Sequence, residues 1–217
     1  MERFILRHNI ERYEERLARA ETEHEREYFA GKLSEWRRQL AVIEADRSGT
    51  YRFDTPAERP FDGPDRTAEF HKIVEKEQTP SLLLDPGSGL RILDMNEAYA
   101  RATMTGTAKV GGKKLFEVFP DNPDEPDADG VANLYTSLRT AAETGKPHTM
   151  AVQRYDIADG NGGFEVRYWQ PVNTPIFNEQ GELVYLLHQV EDVTSTMVPV
   201  AAQAGRRGRG PGEGAHR

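Results

Sequence analysis

Side chains able to do chemistry are few and scattered along this chain. It holds six histidines and no cysteine. No His-x-x-x-His pair occurs either, so the ligand types and spacing of a zinc site are missing and no metal site is expected. The acidic loop Asp121-Asn122-Pro123-Asp124-Glu125-Pro126-Asp127-Ala128-Asp129-Gly130 mimics the start of a calcium loop in Glu125, Asp127, Asp129 and Gly130. Its twelfth position is Thr136, however, where a bidentate glutamate is required. A solvated loop ending in a helix cap at Asp129 is the better account. Lys109-Val110-Gly111-Gly112-Lys113-Lys114 sets glycines beside lysines without the spacing that wraps a phosphate. His188 and Asp192 share a strand face but stand about 13 Å apart along it, too far for a dyad. With no Gly-x-Ser-x-Gly, zinc-protease or nucleotide-binding pattern, an enzyme is not expected.

The elements that would position these residues follow from periodicity. Leu6, Ile10, Tyr13, Leu17 and Ala20 form one helical seam, and Phe29, Leu33, Trp36, Leu40 and Ile43 a second. The nine-residue step from Ala20 to Phe29 breaks a heptad register, and Thr22-Glu23-His24-Glu25 reads as a capping box. A helical hairpin over residues 1–47 is therefore expected, one long helix with a stutter being the alternative. An apolar stripe does not stay in water, so the seam packs within the hairpin, on the sheet or against a second copy, and Leu33, Trp36 and Leu40 are the candidate interface residues of a homodimer. Residues 48–66, with Pro56, Pro60, Gly63 and Pro64, read as a linker that Tyr51, Phe53 and Phe61 could tack down. Thr67 to Glu77 reads as a helix with Phe70, Ile73 and Val74 on one side. Further on, Asp129 precedes a helix marked by Val131, Leu134, Leu138 and Ala141 and ended by Gly145 and Pro147. Three strands are expected at Thr149–Ile157, Phe164–Pro175 and Leu183–Val193, with Phe164, Val166 and Tyr168 on one face. The sheet should carry helices on one face and the N-terminal segment on the other. Residues 195–217, rich in Gly and Arg, bury too little to fold and read as a disordered tail.

The order and spacing of residues 80–194 resemble a PAS domain. Ser81-Leu82-Leu83-Leu84-Asp85, the turn Pro86-Gly87-Ser88-Gly89 and Arg91-Ile92-Leu93-Asp94-Met95-Asn96-Glu97-Ala98-Tyr99 match the opening hairpin, whose second strand ends at a helix-starting Asn with an aromatic three residues on. Gly111 or Gly112, then Leu115-Phe116-Glu117-Val118-Phe119-Pro120, match the family's short segment ending in Phe-Pro. The turn Asn178-Glu179-Gln180-Gly181 and the closing Asp192-Val193-Thr194 match its far end. The resemblance implies an α+β fold over residues 67–194, a central antiparallel sheet with flanking helices, preceded by the hairpin. It also implies a small apolar cavity as candidate ligand site, lined by Tyr99, Phe119, Leu134, Leu138, Tyr155 and Tyr168, with Asn133, Arg154 and His188 as polar contacts. A core filled by those same side chains is the bland counterpart. Haem-binding members carry a histidine on the long helix, where residues 129–146 have none. His148 and His188 are the nearest, and packing or hydrogen bonding is preferred for both. Without cysteine the flavin–cysteine photochemistry of the family's light sensors is excluded.

The function implied is non-enzymatic sensing or partner binding in signal transduction, with output through the N-terminal helices or the sheet surface because Pro199 and the glycines after it prevent a sustained coiled coil. Only 23 residues follow Thr194, too few for a kinase's catalytic parts, so a histidine kinase or transcription factor would be a partner. The alternative is a ligand-blind interaction module serving such a partner. A net charge of −8 argues against nucleic acid, and Arg206, Arg207 and Arg209 are read as part of a solubilising end. No apolar run is long enough for a membrane, and Met1-Glu2-Arg3-Phe4 leads straight into charges, so a cytoplasmic protein is expected.

Overall fold

The computed structural model describes residues 1–50, 78–105, 110–160 and 162–197. Most of the linker expected at 48–66, the helix expected at 67–77 and the tail from 198 onward lie outside them, while Ser48 and residues 195–197, expected in linker and tail, are helical.

Helices α1 (Glu2–Ala18) and α2 (Glu23–Ser48) form the hairpin. The break between them is the capping box: Thr22 Oγ1 accepts from Glu25 N at 3.2 Å, and the Glu25 carboxylate accepts from Thr22 N. Antiparallel pairing places Glu14 against Arg37 and Arg7 against Glu44. Tyr13 stands edge-on to both Phe29 and Trp36, the latter at 4.4 Å between centroids. The expected dimer seam thus closes within one chain. Leu33 is only 2% exposed, Trp36 is half-buried against Tyr13, and Leu40 is half-buried at a groove between α2 and the long helix of the core.

The core is an antiparallel sheet built from β1 (Ser81–Leu84), β2 (Ile92–Met95), β3 (His148–Thr149), β4 (Gln153–Arg154), β7 (Tyr168–Phe177) and β8 (Leu183–Asp192), in the order β2-β1-β8-β7-β3 with β4 also on β7. A separate pair, β5 (Ile157–Ala158) and β6 (Phe164–Glu165), replaces the continuous strands expected over Thr149–Ile157 and Phe164–Pro175. Between β1 and β8 lie α3 (Glu97–Ala102), α4 (Leu115–Val118) and α5 (Gly130–Thr144), and α6 (Thr194–Met197) follows the sheet. Asn96 joins two of these pieces: its Oδ1 accepts from Tyr99 N, capping α3, and from Ser81 N at the start of β1.

Alternation sets the two sheet faces. Leu82 and Leu84, Leu186, His188 and Val190, and Trp169, Pro171 and Asn173 are buried under α5 and the shorter helices. Tyr168 therefore faces out, because register pairs it with Arg154 while Trp169 pairs with Gln153. Register is kept across the break, since Ile157 pairs with Glu165 and Arg154 with Tyr168 on one continuous count, so the expected alternation through Phe164, Val166 and Tyr168 holds and only the face turned to the helices is the opposite one.

The second half of α2 lies on the helical side of the core, packed against α5, and not on the outer sheet face. Ala41 and Ala45 join the core cluster with Leu138 and Tyr135. Tyr135 donates its hydroxyl to Gly49 O at 3.0 Å, and Gly89 N donates to Ala45 O at 2.8 Å. Gly49 is required there: φ is +57°, and a Cβ would come within 2.1 Å of the Pro86 and Gly87 carbonyl oxygens.

Leu33→Ala is expected to cost about 2–5 kcal/mol of unfolding free energy, measured by urea denaturation, with the mass in solution unchanged by light scattering. Retained stability with a halved mass would place Leu33 between copies instead.

Candidate functional site

A partly enclosed cavity lies between the inner sheet face, α3, α4 and α5. Tyr99, Phe119, Leu134, Tyr155 and His188 from the expected set line it, joined by Thr103, Leu115, Gly130, Met150, Gln153, Ile157, Trp169, Pro171 and Val190. Its free volume of about 50 Å³ is room for roughly four waters at about 10–15 Å³ each, which displace on the order of 120 Å³ of liquid.

Four expected residues are placed elsewhere. Leu138 is fully buried in the core but does not reach the cavity. Asn133 stands one step behind the wall, donating Nδ2 to Gln153 Oε1 at 2.7 Å, and Gln153 takes the lining position. Tyr168 and Arg154 are on the outer face for the register reason given above. Arg154 bridges Glu125 and Asp156, and these two carboxylates raise its pKa. Asp156 in turn accepts from Asn122 Nδ2 at 3.0 Å. The acidic loop is therefore tied to the start of the β5–β6 pair, and part of it is buried: Asp121 and Asn122 are 6% and 8% exposed. Asp129 occupies the N-cap position of α5 without a side-chain hydrogen bond. Asp121 does that work, its Oδ1 accepting from Val131 N at 2.9 Å. Burial raises the Asp121 pKa despite this bond and Arg38 nearby.

Gly130 sits where Tyr155 closes the cavity. A Cβ there would come within 2.1 Å of the Tyr155 ring, whose hydroxyl is held by the carbonyls of Phe119 and Pro120. No larger residue fits without moving that wall.

The sequence reading missed a polar row that is buried except at its His148 end. His188 Nδ1 lies 2.8 Å from Asn173 Oδ1, Asn173 Nδ2 donates to Ser137 Oγ at 2.7 Å, and Ser137 Oγ lies 2.7 Å from His148 Nδ1. His188, Asn173 and His148 are direct register neighbours on β8, β7 and β3. Asn173 and Ser137 are 0% and 1% exposed. Counting back from the Asn178–Gly181 turn does not pair Asn173 with His188, because the register shifts between Ile176 and Phe177, and nothing local marks Ser137 on its helix. Desolvation lowers the His188 pKa from 6.5 to about 4, and that of Tyr99 is raised by the same cause.

A central antiparallel sheet with helices over one face and a small apolar cavity beneath them defines an α+β module with an internal pocket. Residues 77–197 match the family described as "PAS fold", more than half the chain, so this chain belongs to the PAS family. That family is generally one of non-catalytic sensory and interaction modules. Solved structures similar to it include the PAS domain of a protein from Colwellia psychrerythraea (15% identity, 60% of this chain and 98% of that one, TM-score 0.44). Others are the PAS domain of Bordetella pertussis BvgS (18%, 66% and 97%, TM-score 0.47) and a Rhodobacter sphaeroides LOV protein (16%, 64% and 73%, TM-score 0.46). No curated protein matches it in sequence.

Because neutral His188 is buried, the unfolded chain takes up its proton first as pH falls. Its stability contribution is whole above about pH 6.5 and lost toward about pH 4, at most about 3 kcal/mol. Denaturation at stepped pH is expected to show this slope in the wild type and not in His188→Gln. The elevated Asp121 pKa gives an opposite slope that both proteins share. Superimposable profiles would mean that His188 is not buried neutral.

Proposed function

We propose that this chain is a non-enzymatic sensory and regulatory protein. Its cavity takes up a small, largely apolar molecule, and the N-terminal helices carry the response. The observation that carries this reading is the position of α5. Leu134 on that helix lines the cavity, while the next residue, Tyr135, holds Gly49 at the end of α2. One turn on, Arg139 pairs with Glu44 of α2, which Arg7 of α1 also reaches. A ligand that favours one position of α5 over another thereby favours one position of the hairpin. The free volume supports a small molecule and is far below what a haem or flavin needs. Zero cysteines and the absence, among the described residues, of a helix long and apolar enough to cross a membrane support action in the cytoplasm.

A second reading, a ligand-blind interaction module, is favoured by apolar surface on the hairpin. Phe4, Ile5 and Tyr28 are 77%, 51% and 51% exposed, and such side chains suit docking to a histidine kinase, a transcription factor or a second copy of this chain.

Native mass spectra of the full chain test the choice. The sensor reading expects mass beyond the polypeptide, absent from Leu134→Trp, which fills the cavity, and slower hydrogen exchange at residues 45–49 when that mass is present. A bare polypeptide in the wild type, as one chain or two, would give the assignment to the interaction module.

A further inference from the structure

Two polar atoms in the cavity wall have no hydrogen-bond partner among the described residues. One is His188 Nε2 and the other is the Tyr99 hydroxyl; both residues are 4% exposed, and their rings stand edge-on at 5.9 Å. Neither atom is sealed off by protein, and both residues line the cavity. The other polar side chains there are already engaged. Thr103 Oγ1 donates to Tyr99 O, and Gln153 accepts from Asn133 while donating to Ala151 O.

The protonation of His188 follows from Asn173. Asn173 Nδ2 lies 3.7 Å from Met150 Sδ as well as 2.7 Å from Ser137 Oγ. A thioether sulfur only accepts, so the amide end facing it is the NH₂ group and the oxygen end faces His188. That oxygen cannot donate, which puts the imidazole proton on Nδ1. Burial keeps the ring neutral, leaving Nε2 as a bare acceptor. Burial likewise keeps the Tyr99 phenol protonated and able to donate. An acceptor and a donor thus sit side by side in a wall otherwise made by such residues as Leu115, Phe119, Leu134, Ile157 and Trp169.

Resting on the reading that the cavity takes a small molecule, we infer that its ligand class is a compact apolar compound with one neutral hydroxyl, about the size of a phenol. Its O–H donates to Nε2 of His188, and its oxygen accepts from the Tyr99 hydroxyl. An isosteric hydrocarbon leaves both wall atoms desolvated and unpaired, so the site selects against it. A carboxylate meets the lone pair of Nε2 and no cation, since Arg154 is on the outer sheet face.

Calorimetric titration of the full chain with phenol and with toluene, which exchanges the hydroxyl for a methyl group, tests this. Phenol is expected to bind at least about tenfold more tightly, the loss of one satisfied buried polar contact. In His188→Leu the ratio should collapse to about one with toluene binding retained. Equal binding, or tighter toluene, in the wild type would overturn the hydroxyl selection and leave the ligand-binding cavity standing. Binding of neither would overturn both. Should His188→Leu fail to fold by circular dichroism, Tyr99→Phe, which removes one oxygen, decides: a ratio reduced severalfold supports the inference, and an unchanged ratio refutes it.

Discussion

The row of polar side chains from buried His188, Asn173 and Ser137 to half-buried His148 is the constraint on which the arrangement of this molecule depends. Fully buried Asn173 would lose on the order of 1–3 kcal/mol for each group left unpaired, and it is satisfied only when β8, β7 and α5 hold one mutual position. Apolar packing alone tolerates a helix sliding by part of a turn. Hydrogen bonds of 2.7–2.8 Å favour one position over its neighbours, and so set where α5 rests over the sheet and the shape of the cavity beside it in this structure.

The same helix carries the load between core and hairpin. Its N-terminus is capped from Asp121, its inner side bears Leu134 and Leu138, and its far side meets α2 through Tyr135 and Arg139. Glu44, 5% exposed, is reached by guanidinium groups of α1 and α5 together, which compensates its burial and ties three helices at one point. The close approach at Gly49 completes the junction. Cavity wall and hairpin consequently meet through the two sides of one helix, α5.

Much of this was legible in the sequence. The opening hairpin and the Asn96 helix start were legible through the family resemblance, and the long helix ending at Gly145 and the two final strands through turn residues and periodicity, which act over a few neighbouring residues. The Thr22–Glu25 capping box marked the break between α1 and α2 for the same local reason. Tyr99, Phe119, Leu134, Tyr155 and His188 were placed near one another by family resemblance, and they do share a cavity wall.

What the sequence by itself determined, then, is the set of elements, their order and which of them are amphipathic, because those properties are set by neighbours in the chain. Only the tertiary structure decided which face each side chain takes where both faces are covered. Tyr168 and Trp169 are both aromatic, as Gln153 and Arg154 are both polar, and the choice between them rests on the register of β7 with β8, whose His188 and Val190 face the helices. It also decided that the seam of Leu33 and Trp36 closes inside one chain and that Asp121, not Asp129, caps α5. The polar row joins residues 15, 36 and 11 positions apart, a separation across which no local pattern carries information.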